Sequence, residues 1–330
     1  MVWPEGFERV LSGEPWVEQP IGALALKYDS VESHGWYANL EPTLVALRKT
    51  LRDGDFVVDY SAGTGILIDR LFRANPDLRI AALLVDASPK FLRLAWEKLG
   101  DDERVALRWI RYLREEKRLQ RLDEVLDQSL RQRGIDVLIS TNAIHLYYGM
   151  EETLRSWTQT LRPGGIAFVQ SGNIDNPDAP PGTWIIDQTV ERIQPIARDL
   201  VRTDPRYAPF RDRLSDTGRC ARYDALRAKY FLPVRPAHYY LDQLRAAGLE
   251  VLKVEALPIE AEVRNWFDFL SAYHEGVLGW AGGASKIEGE PAPEALIELR
   301  LALLRHALDR LFEGQARFEA CWTYITCVNP

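Results

Sequence analysis

The stretch Asp59-Tyr60-Ser61-Ala62-Gly63-Thr64-Gly65 follows the apolar run Phe56-Val57-Val58 and precedes residues 66–72, whose apolar side chains recur at helical spacing. A strand, a glycine turn and a helix in this order present backbone N–H groups and a helix N-terminus to a ligand. About twenty residues later, a second apolar run ends in Asp86, where an acidic side chain can bind the hydroxyls of a ribose. The turn and the acid together predict a cofactor that contains a nucleoside.

The spacing of the glycines argues against a dinucleotide. A dinucleotide-binding turn reads G-x-G-x-x-G, and its third glycine packs the helix against the strand. Residues 66–68 are Ile-Leu-Ile, so the third glycine is missing, and no Gly-Lys-Ser/Thr ending of a phosphate-binding loop follows. Asp59 would also repel a pyrophosphate. An NAD-dependent oxidoreductase is therefore the less favoured alternative.

The same stretch resembles motif I, D-x-G-x-G-x-G, of the class I S-adenosylmethionine-dependent methyltransferases. Asp59, Gly63 and Gly65 match this motif, and Ser61 stands where the first glycine usually is. The resemblance implies S-adenosyl-L-methionine as the cofactor, with Asp59 near its cationic amino group and Asp86 on its ribose. Asp59 could instead cap the turn that follows it. The cofactor contacts expected on this pattern are Tyr28, Asp59, Ser61, Ala62, Gly63, Thr64, Gly65, Asp86, Ala87, Asn142 and Ala143. Tyr28 could equally be a packing residue.

Strands alternate with helices through the middle of the chain, which predicts a parallel, doubly wound sheet. The expected strands cover residues 56–60, 80–86, 105–111, 135–140 and 166–170. Arg162-Pro163-Gly164-Gly165 resembles the family's turn before the fifth strand, and residues 239–251 resemble its late helix and sixth strand. We therefore expect an α/β fold with a mostly parallel seven-stranded sheet, a last antiparallel strand and helical insertions.

The expected organisation is a core interrupted by insertions. We expect a helical and aromatic N-terminal cap (1–50), a cofactor-binding core (51–172), an Arg-rich lid (173–237), a continuation of the core (238–262), a helical and aromatic insertion (263–315) and a closing strand (316–330). Residues 198–235 carry ten Arg or Lys against five Asp, so the lid could attract an anionic substrate, although a solvated face is the plainer interpretation. Within the core, residues 114–133 show helical spacing, with Leu119, Leu122, Val125, Leu126 and Leu130 on one face.

His145 is the candidate catalytic base. It follows the fourth strand, where an acceptor would approach the methyl group, and its ordinary pKa suits proton removal near neutrality. The alternative is a histidine that orders its loop or shapes the pocket. The candidate substrate-binding residues are Trp36, Tyr37, Tyr147, Arg235, His238, Tyr240, Tyr273 and His274. The family's usual adenine-binding acid after the third strand is replaced by Arg111-Tyr112-Leu113, which leaves the adenine contacts open.

Several motifs that are absent from the sequence narrow the range of possible methyl acceptors. Thr141-Asn142-Ala143-Ile144 stands where enzymes that methylate nucleobases usually carry Asp/Asn-Pro-Pro-Tyr/Phe. Acidic metal ligands are missing near that loop, and the cysteines are not clustered. A metal-independent methyltransferase for a small organic acceptor is favoured, with oxygen slightly ahead of nitrogen or carbon. The alternative from another class is a non-catalytic regulatory module that binds S-adenosylmethionine.

Composition and charge agree with this interpretation. The chain has 330 residues, 46% hydrophobic and 27% charged, as is ordinary for a globular protein. A net charge of −7 argues against nucleic-acid binding. The first residues do not resemble a signal peptide, and no apolar run reaches the length of a membrane span, so a cytoplasmic protein without membrane partners is expected. The sequence does not decide between a monomer and a homodimer.

Overall fold

The seven strands of the central sheet are formed from widely separated parts of the chain. The computed structural model describes residues 3–20 and 35–330, without the side chains of residues 35 and 36. The strands are β1 (Phe56–Tyr60), β2 (Ala81–Asp86), β3 (Val105–Trp109), β4 (Ile135–Thr141), β5 (Leu161–Ser171), β6 (Glu250–Glu262) and β7 (Arg317–Val328). Their order is β6-β7-β5-β4-β1-β2-β3, and β7 runs antiparallel to both of its neighbours. The expected mostly parallel sheet with a last antiparallel strand is confirmed.

Helices cover both faces of this sheet. They are α1 (Glu41–Thr50), α2 (Ile66–Ala74), α3 (Pro89–Leu99), α4 (Leu122–Val125), α5 (Gln128–Arg133), α6 (Met150–Thr160), α7 (Gln188–Thr203), α8 (Arg211–Ser215), α9 (Thr217–Tyr230), α10 (Ala237–Ala246), α11 (Val263–Ala272), α12 (His274–Leu278), α13 (Ser285–Glu288) and α14 (Glu294–Leu311). Short 3-10 helices span Gly35–Leu40, Ile144–Leu146 and Pro205–Phe210. Alternate residues of β1 enter the two cores, since Val57 packs in one layer while Phe56 and Val58 pack in the other.

The two large insertions pack against each other. The indole N–H of Trp266 on α11 donates to Thr189 Oγ1 on α7 over 2.8 Å, and that of Trp280 donates to Gln194 Oε1 over 3.1 Å. Both tryptophans are almost fully buried. Residues 188–230 and 263–311 therefore form one helical layer, which was not evident from their separation in sequence.

Residues 114–133 do not form the helix with leucines on one face that their spacing predicts. Tyr112–Leu113 and Arg118–Leu119 form a small antiparallel hairpin, and α4 and α5 follow it. Glu124 explains the break, because its carboxylate accepts hydrogen bonds from the backbone N–H of Arg121 and from the Arg118 guanidinium, both over 2.7 Å. Leu119 is consequently 47% exposed, whereas Leu122 and Leu130 are buried.

Strand β5 also begins earlier than expected. The Pro-Gly-Gly sequence lies within it, beside a register shift between Ile135 and Val137 of β4. A Cβ atom at Gly165 would lie 2.8 Å from the carbonyl oxygen of Ile135, so the close approach of the two strands requires a glycine there. In the described ranges, no helix is both long and apolar enough to span a bilayer.

Candidate functional site

The carboxyl ends of β1, β2, β4 and β5 meet at one edge of the sheet, because these strands run parallel. This arrangement brings the glycine turn and the acid of β2 into contact. The backbone N–H of Gly63 donates to Asp86 Oδ2 over 2.8 Å, and Ser88 N–H donates to Oδ1 over 2.7 Å. The two features that predict the cofactor from the sequence therefore form one structural unit.

The backbone of the turn is left-handed at three positions, with φ of +65° at Ser61, +57° at Gly63 and +76° at Gly65. Gly65 has a second constraint, because a Cβ there would lie 2.9 Å from side-chain atoms of both Leu84 and Leu99. Gly65 thus allows α2 to start directly against β2 and α3.

Ser61 adopts the left-handed conformation despite its side chain, and Tyr147 holds it. The Tyr147 hydroxyl lies 3.2 Å from Ser61 Oγ and 2.8 Å from Ser140 Oγ on β4. Its ring makes edge contacts with Tyr60 and Trp157, with centroids 5.7 and 5.9 Å away. Tyr147 therefore links the turn to β4, and these contacts account for its position without a substrate.

Asp59 is buried at the base of the turn, and neither of its carboxylate oxygens has a hydrogen-bond partner within the described residues. Desolvation, and secondarily repulsion by Asp86, raises the pKa of Asp59 to about 7. Desolvation also raises the pKa of Asp86 to about 6, although hydrogen bonds from Ser88 and Gly63 oppose that shift. An unpartnered carboxylate in this position fits the cationic amino group of S-adenosylmethionine.

The other expected cofactor residues line the same edge. Thr64 and Ala143 are buried, and the Thr64 hydroxyl also has no partner in the described part of the chain. Ala62 is partly buried and Ala87 is exposed. The carbonyl of Ala87 accepts a hydrogen bond from the Trp109 indole over 3.1 Å. Trp109 at the end of β3 is a neighbour of the cofactor site that the sequence did not single out, and it is a candidate for contact with the adenine.

Asn142 has a different environment from the one its motif position implies. Its φ is +55°, its Nδ2 donates to Asn39 Oδ1 over 3.1 Å, and its Oδ1 accepts from Trp322 Nε1 over 2.8 Å. Gln170 also donates to Asn39 Oδ1, over 3.0 Å. The side chain of Asn142 therefore ties the end of β4 to the segment before α1 and to β7, and its backbone N–H donates to the carbonyl of Gln170 over 2.8 Å.

His145 lies in the short 3-10 helix after β4, and its Nδ1 is 2.9 Å from Ser171 Oγ at the end of β5. Burial lowers the pKa of His145 to about 4, so the imidazole is neutral at physiological pH. Among the described contacts, none involves its Nε2. The pairing with Ser171 orients the ring, which is compatible both with a proton acceptor and with a residue that orders the loop.

The remaining substrate candidates occupy separate environments. Tyr240 is buried, and burial raises its pKa to about 12. Arg235 and His238 are exposed near it, and the Arg235 guanidinium lies 4.5 Å above the Tyr239 ring. Tyr37 is buried, with the Arg70 guanidinium 5.9 Å from its ring.

Two more candidates lie inside the helical layer. Tyr273 packs against Phe269 with ring centroids 5.0 Å apart, and His274 Nδ1 is 2.9 Å from the guanidinium of the buried Arg300. Tyr28 falls outside the described residues, as does the side chain of Trp36. In the described part of the chain, no group of three or more His, Cys, Asp or Glu residues could hold a metal ion.

Much of the charge of the Arg-rich segment is balanced nearby. Its ion pairs are Arg198–Asp224, Arg206–Asp204, Arg219–Glu288 and Arg227–Asp224, with N–O distances between 2.6 and 3.3 Å. Exposed pairs of this kind add little stability, but they reduce the field that a substrate would experience. Asp204 and Asp224 are already subtracted in the count over residues 198–235, so of these four pairs only Arg219–Glu288 lowers the positive excess of the segment.

Sequence reasoning missed Ser171, Asn173 and Asp187. The structure brings these residues together, since Asn173 N–H donates to Ser171 Oγ over 3.0 Å, and Ile186 N–H donates to the carbonyl of Gly172 over 3.1 Å. An Asn after a strand ordinarily indicates a turn. The only sequence signal is the polar Ser-Gly-Asn that ends the fifth strand.

Comparisons with known proteins agree with this geometry. Residues 58–167 match a family model described as a methyltransferase domain. The [4+2]-cyclase SpnF superposes with a TM-score of 0.50 and 16% identity, covering 93% of this chain and 92% of its own. Phosphoethanolamine N-methyltransferase 2 from Haemonchus contortus, solved with phosphomonomethylethanolamine and S-adenosylhomocysteine, superposes with a TM-score of 0.50 and 11% identity, covering 98% of this chain and 61% of its own. At these identities the structural likeness concerns the fold. No curated protein sequence is a significant match to the chain.

Proposed function

Given that the chain is a class I S-adenosylmethionine-dependent methyltransferase, we propose that it methylates a small organic acceptor without a metal ion, and that oxygen is the favoured acceptor atom. The observation that supports the cofactor assignment is the buried carboxylate of Asp59 next to the glycine turn, which has no hydrogen-bond partner among the described residues. On the acceptor side, the proposal rests on a neutral, oriented imidazole at the end of β4.

The cofactor supplies an electrophilic methyl group on a sulfonium. Around it, Asp59 pairs with the amino group of the methionine end, and this cation restores the charged form that burial disfavours. Asp86 accepts hydrogen bonds from the ribose hydroxyls, since the bonds from Gly63 and Ser88 leave other lone pairs of its carboxylate available. These contacts fix the position of the donor, which is the main requirement of an in-line displacement.

His145 acts on the acceptor. In the tautomer whose Nδ1–H donates to Ser171 Oγ, Nε2 would accept the hydrogen bond of an acceptor hydroxyl and take its proton, while the methyl group would leave the sulfonium sulfur for the hydroxyl oxygen. A pKa of about 4 makes His145 a weak base, so its main contribution is to align the hydroxyl. His145 could align an amine in the same way only if the amine bound in its unprotonated form, so oxygen is the favoured acceptor atom.

Two measurements test the proposal. Calorimetric titration with S-adenosylhomocysteine and, in parallel, with NAD identifies the cofactor, and tight binding of NAD alone would refute the assignment. Incubation with S-adenosylmethionine carrying a deuterated methyl group, followed by mass spectrometry of small molecules from a cell extract, identifies the methylated product. A non-catalytic module would bind S-adenosylhomocysteine but yield no labelled product.

The anionic acceptor expected from the Arg-rich segment is less well supported. Asp204, Asp224 and Glu288 already pair with guanidinium groups of that segment. Arg235, the exposed cation near Tyr240, stays the best candidate for contact with an anion. Reversal of its charge by Arg235→Glu should raise the KM for an anionic acceptor and leave S-adenosylhomocysteine binding unchanged.

A further inference from the structure

The side chain of Asn173 lacks hydrogen-bond partners among the described residues, and it lies in the part of the structure where an acceptor would bind. It is fully buried just after β5, and neither its Oδ1 nor its Nδ2 has a hydrogen-bond partner within residues 3–20 and 35–330. Buried side-chain polar atoms are nearly always hydrogen-bonded in folded proteins. An exception at the edge of an active site therefore indicates that a ligand supplies the missing bonds.

The neighbouring Asn176 shows that this loop can satisfy a buried asparagine. It is 5% exposed, its Nδ2 donates to Thr323 Oγ1 over 3.1 Å, and its Oδ1 accepts from the backbone N–H of Asp178 over 3.0 Å. Two asparagines three positions apart thus have opposite environments. Packing in the loop does not by itself account for the state of Asn173.

The surroundings of Asn173 place it beside the candidate catalytic group. Its backbone N–H donates to Ser171 Oγ, and the same oxygen lies 2.9 Å from His145 Nδ1. On the other side, the bond between Ile186 and Gly172 brings Asp187 near the loop. Asp187 is half-buried, forms no ion pair within the described residues, and has a pKa that desolvation raises to about 7.

We propose that Asn173 selects the acceptor by pairing with a neutral group that has a hydrogen-bond donor beside an acceptor, such as a carboxamide or a hydroxyl next to a carbonyl. The proposal rests on the function proposed above for the same site. A carboxamide side chain offers N–H donors and a C=O acceptor side by side, so a ligand group of the complementary kind satisfies both at once.

The same geometry disfavours a carboxylate at this position. A carboxylate has no donor for Asn173 Oδ1, which would stay unpaired in a buried environment. Sites that hydrogen-bond a polar group reject analogues without it strongly, because buried polar atoms of the protein are then left unpaired. We expect a preference of roughly tenfold or more for the neutral group.

The first test uses the ligand-free protein and needs no knowledge of the acceptor. Asn173→Leu replaces an unpartnered carboxamide by an apolar group of similar size, so the melting temperature should rise by roughly 1–3 °C. Asn176→Leu is the matched control and should lower it, because it breaks two hydrogen bonds. A fall for Asn173→Leu as large as that for Asn176→Leu would overturn the proposal.

The second test measures selectivity on the full chain loaded with S-adenosylhomocysteine. The probes are 3-hydroxybenzamide, 3-hydroxybenzoate and phenol, in which the hydroxyl is not adjacent to the carbonyl, and the readout is calorimetric or NMR titration. The wild type should bind the benzamide roughly tenfold more tightly than the other two probes, and Asn173→Leu should abolish this order without changing the affinity for S-adenosylhomocysteine. Equal or tighter binding of the benzoate, an unchanged order in Asn173→Leu, or no binding of the benzamide at millimolar concentration would each refute the proposal. Failure of S-adenosylhomocysteine to bind would instead refute the proposed function.

Discussion

Replacement of Asp59 by Asn should stabilise the ligand-free protein, and the gain should depend on pH. The folded protein holds the Asp59 proton up to about pH 7, whereas the unfolded chain releases it near 3.8. Stability therefore falls as the pH rises from about 4 to 7, since the native state binds more protons in that window. The difference corresponds to about 4 kcal/mol if taken in full, and hydration of the cleft in solution reduces it to about 2 kcal/mol.

The assay is chemical denaturation of the wild type and Asp59→Asn between pH 4 and 8. The variant should match the wild type near pH 4 and exceed it by about 2 kcal/mol at pH 8. Asp69→Asn is the control, because Asp69 is also buried but pairs with Arg73 over 2.9 Å, so it should lose stability at pH 8. A difference between Asp59→Asn and the wild type that does not change with pH would refute the reasoning.

The same variant should lose affinity for S-adenosylhomocysteine. At pH 8 the amino group of the ligand compensates the Asp59 carboxylate, so the ligand should raise the melting temperature of the wild type more than that of Asp59→Asn. An equal rise in both proteins would mean that the amino group binds elsewhere. A gain in stability together with a loss of binding is the result expected if this carboxylate is kept for the cofactor.

Three further substitutions test other parts of the site. Gly65→Ala should lower the free energy of unfolding by about 2–4 kcal/mol in chemical denaturation, because the new Cβ is crowded and the backbone is strained. Gly54 also has a positive φ but has open space around it, so Gly54→Ala should cost only about 1 kcal/mol. Tyr147→Phe should lower the free energy of unfolding by about 1–2 kcal/mol and weaken S-adenosylhomocysteine binding. The same change at the exposed Tyr148 should do neither. Unchanged binding in Tyr147→Phe would mean that the hydroxyl is not needed to hold the turn in its binding conformation. His145→Ala should lower kcat roughly 10²–10⁴-fold and leave the cofactor affinity intact. The wild-type rate should show no inflection from His145 between about pH 5.5 and 8, because burial holds the pKa of this residue at about 4. Unchanged turnover in the variant would mean that His145 only orders its loop.

The parts of the fold that the sequence predicts well are those whose determinants are contiguous. Phe56–Tyr60 forms a strand with the expected bounds, because an apolar run ends there in a glycine turn. The prediction for residues 114–133 is wrong for the opposite reason. Their leucines are spaced as in one helix, but the hydrogen bonds of Glu124 favour a hairpin followed by two short helices. Spacing alone does not reveal such competing local bonds.

In the candidate site, too, some contacts follow from local sequence and others do not. The contact between Gly63 and Asp86 follows from two local motifs and the parallel pairing of their strands. The environment of Asn142 does not, because its partners are Asn39 and Trp322, more than one hundred positions away in either direction. A motif position predicts where such a residue lies along the chain, whereas its hydrogen bonds depend on which distant elements fold against it.

The structure also changes which part of the protein is expected to determine the acceptor. The Arg-rich segment has a positive excess in sequence, but Arg219 and Arg227 pair with acids of the same helical layer, and His274 contacts Arg300 inside that layer. A self-paired surface exerts a weak, screened field, whereas a buried carboxamide without partners discriminates through the cost of leaving it unpaired. Selectivity in this protein should therefore depend more on the loop that follows β5, with Asn173 next to His145, than on the charge of the lid.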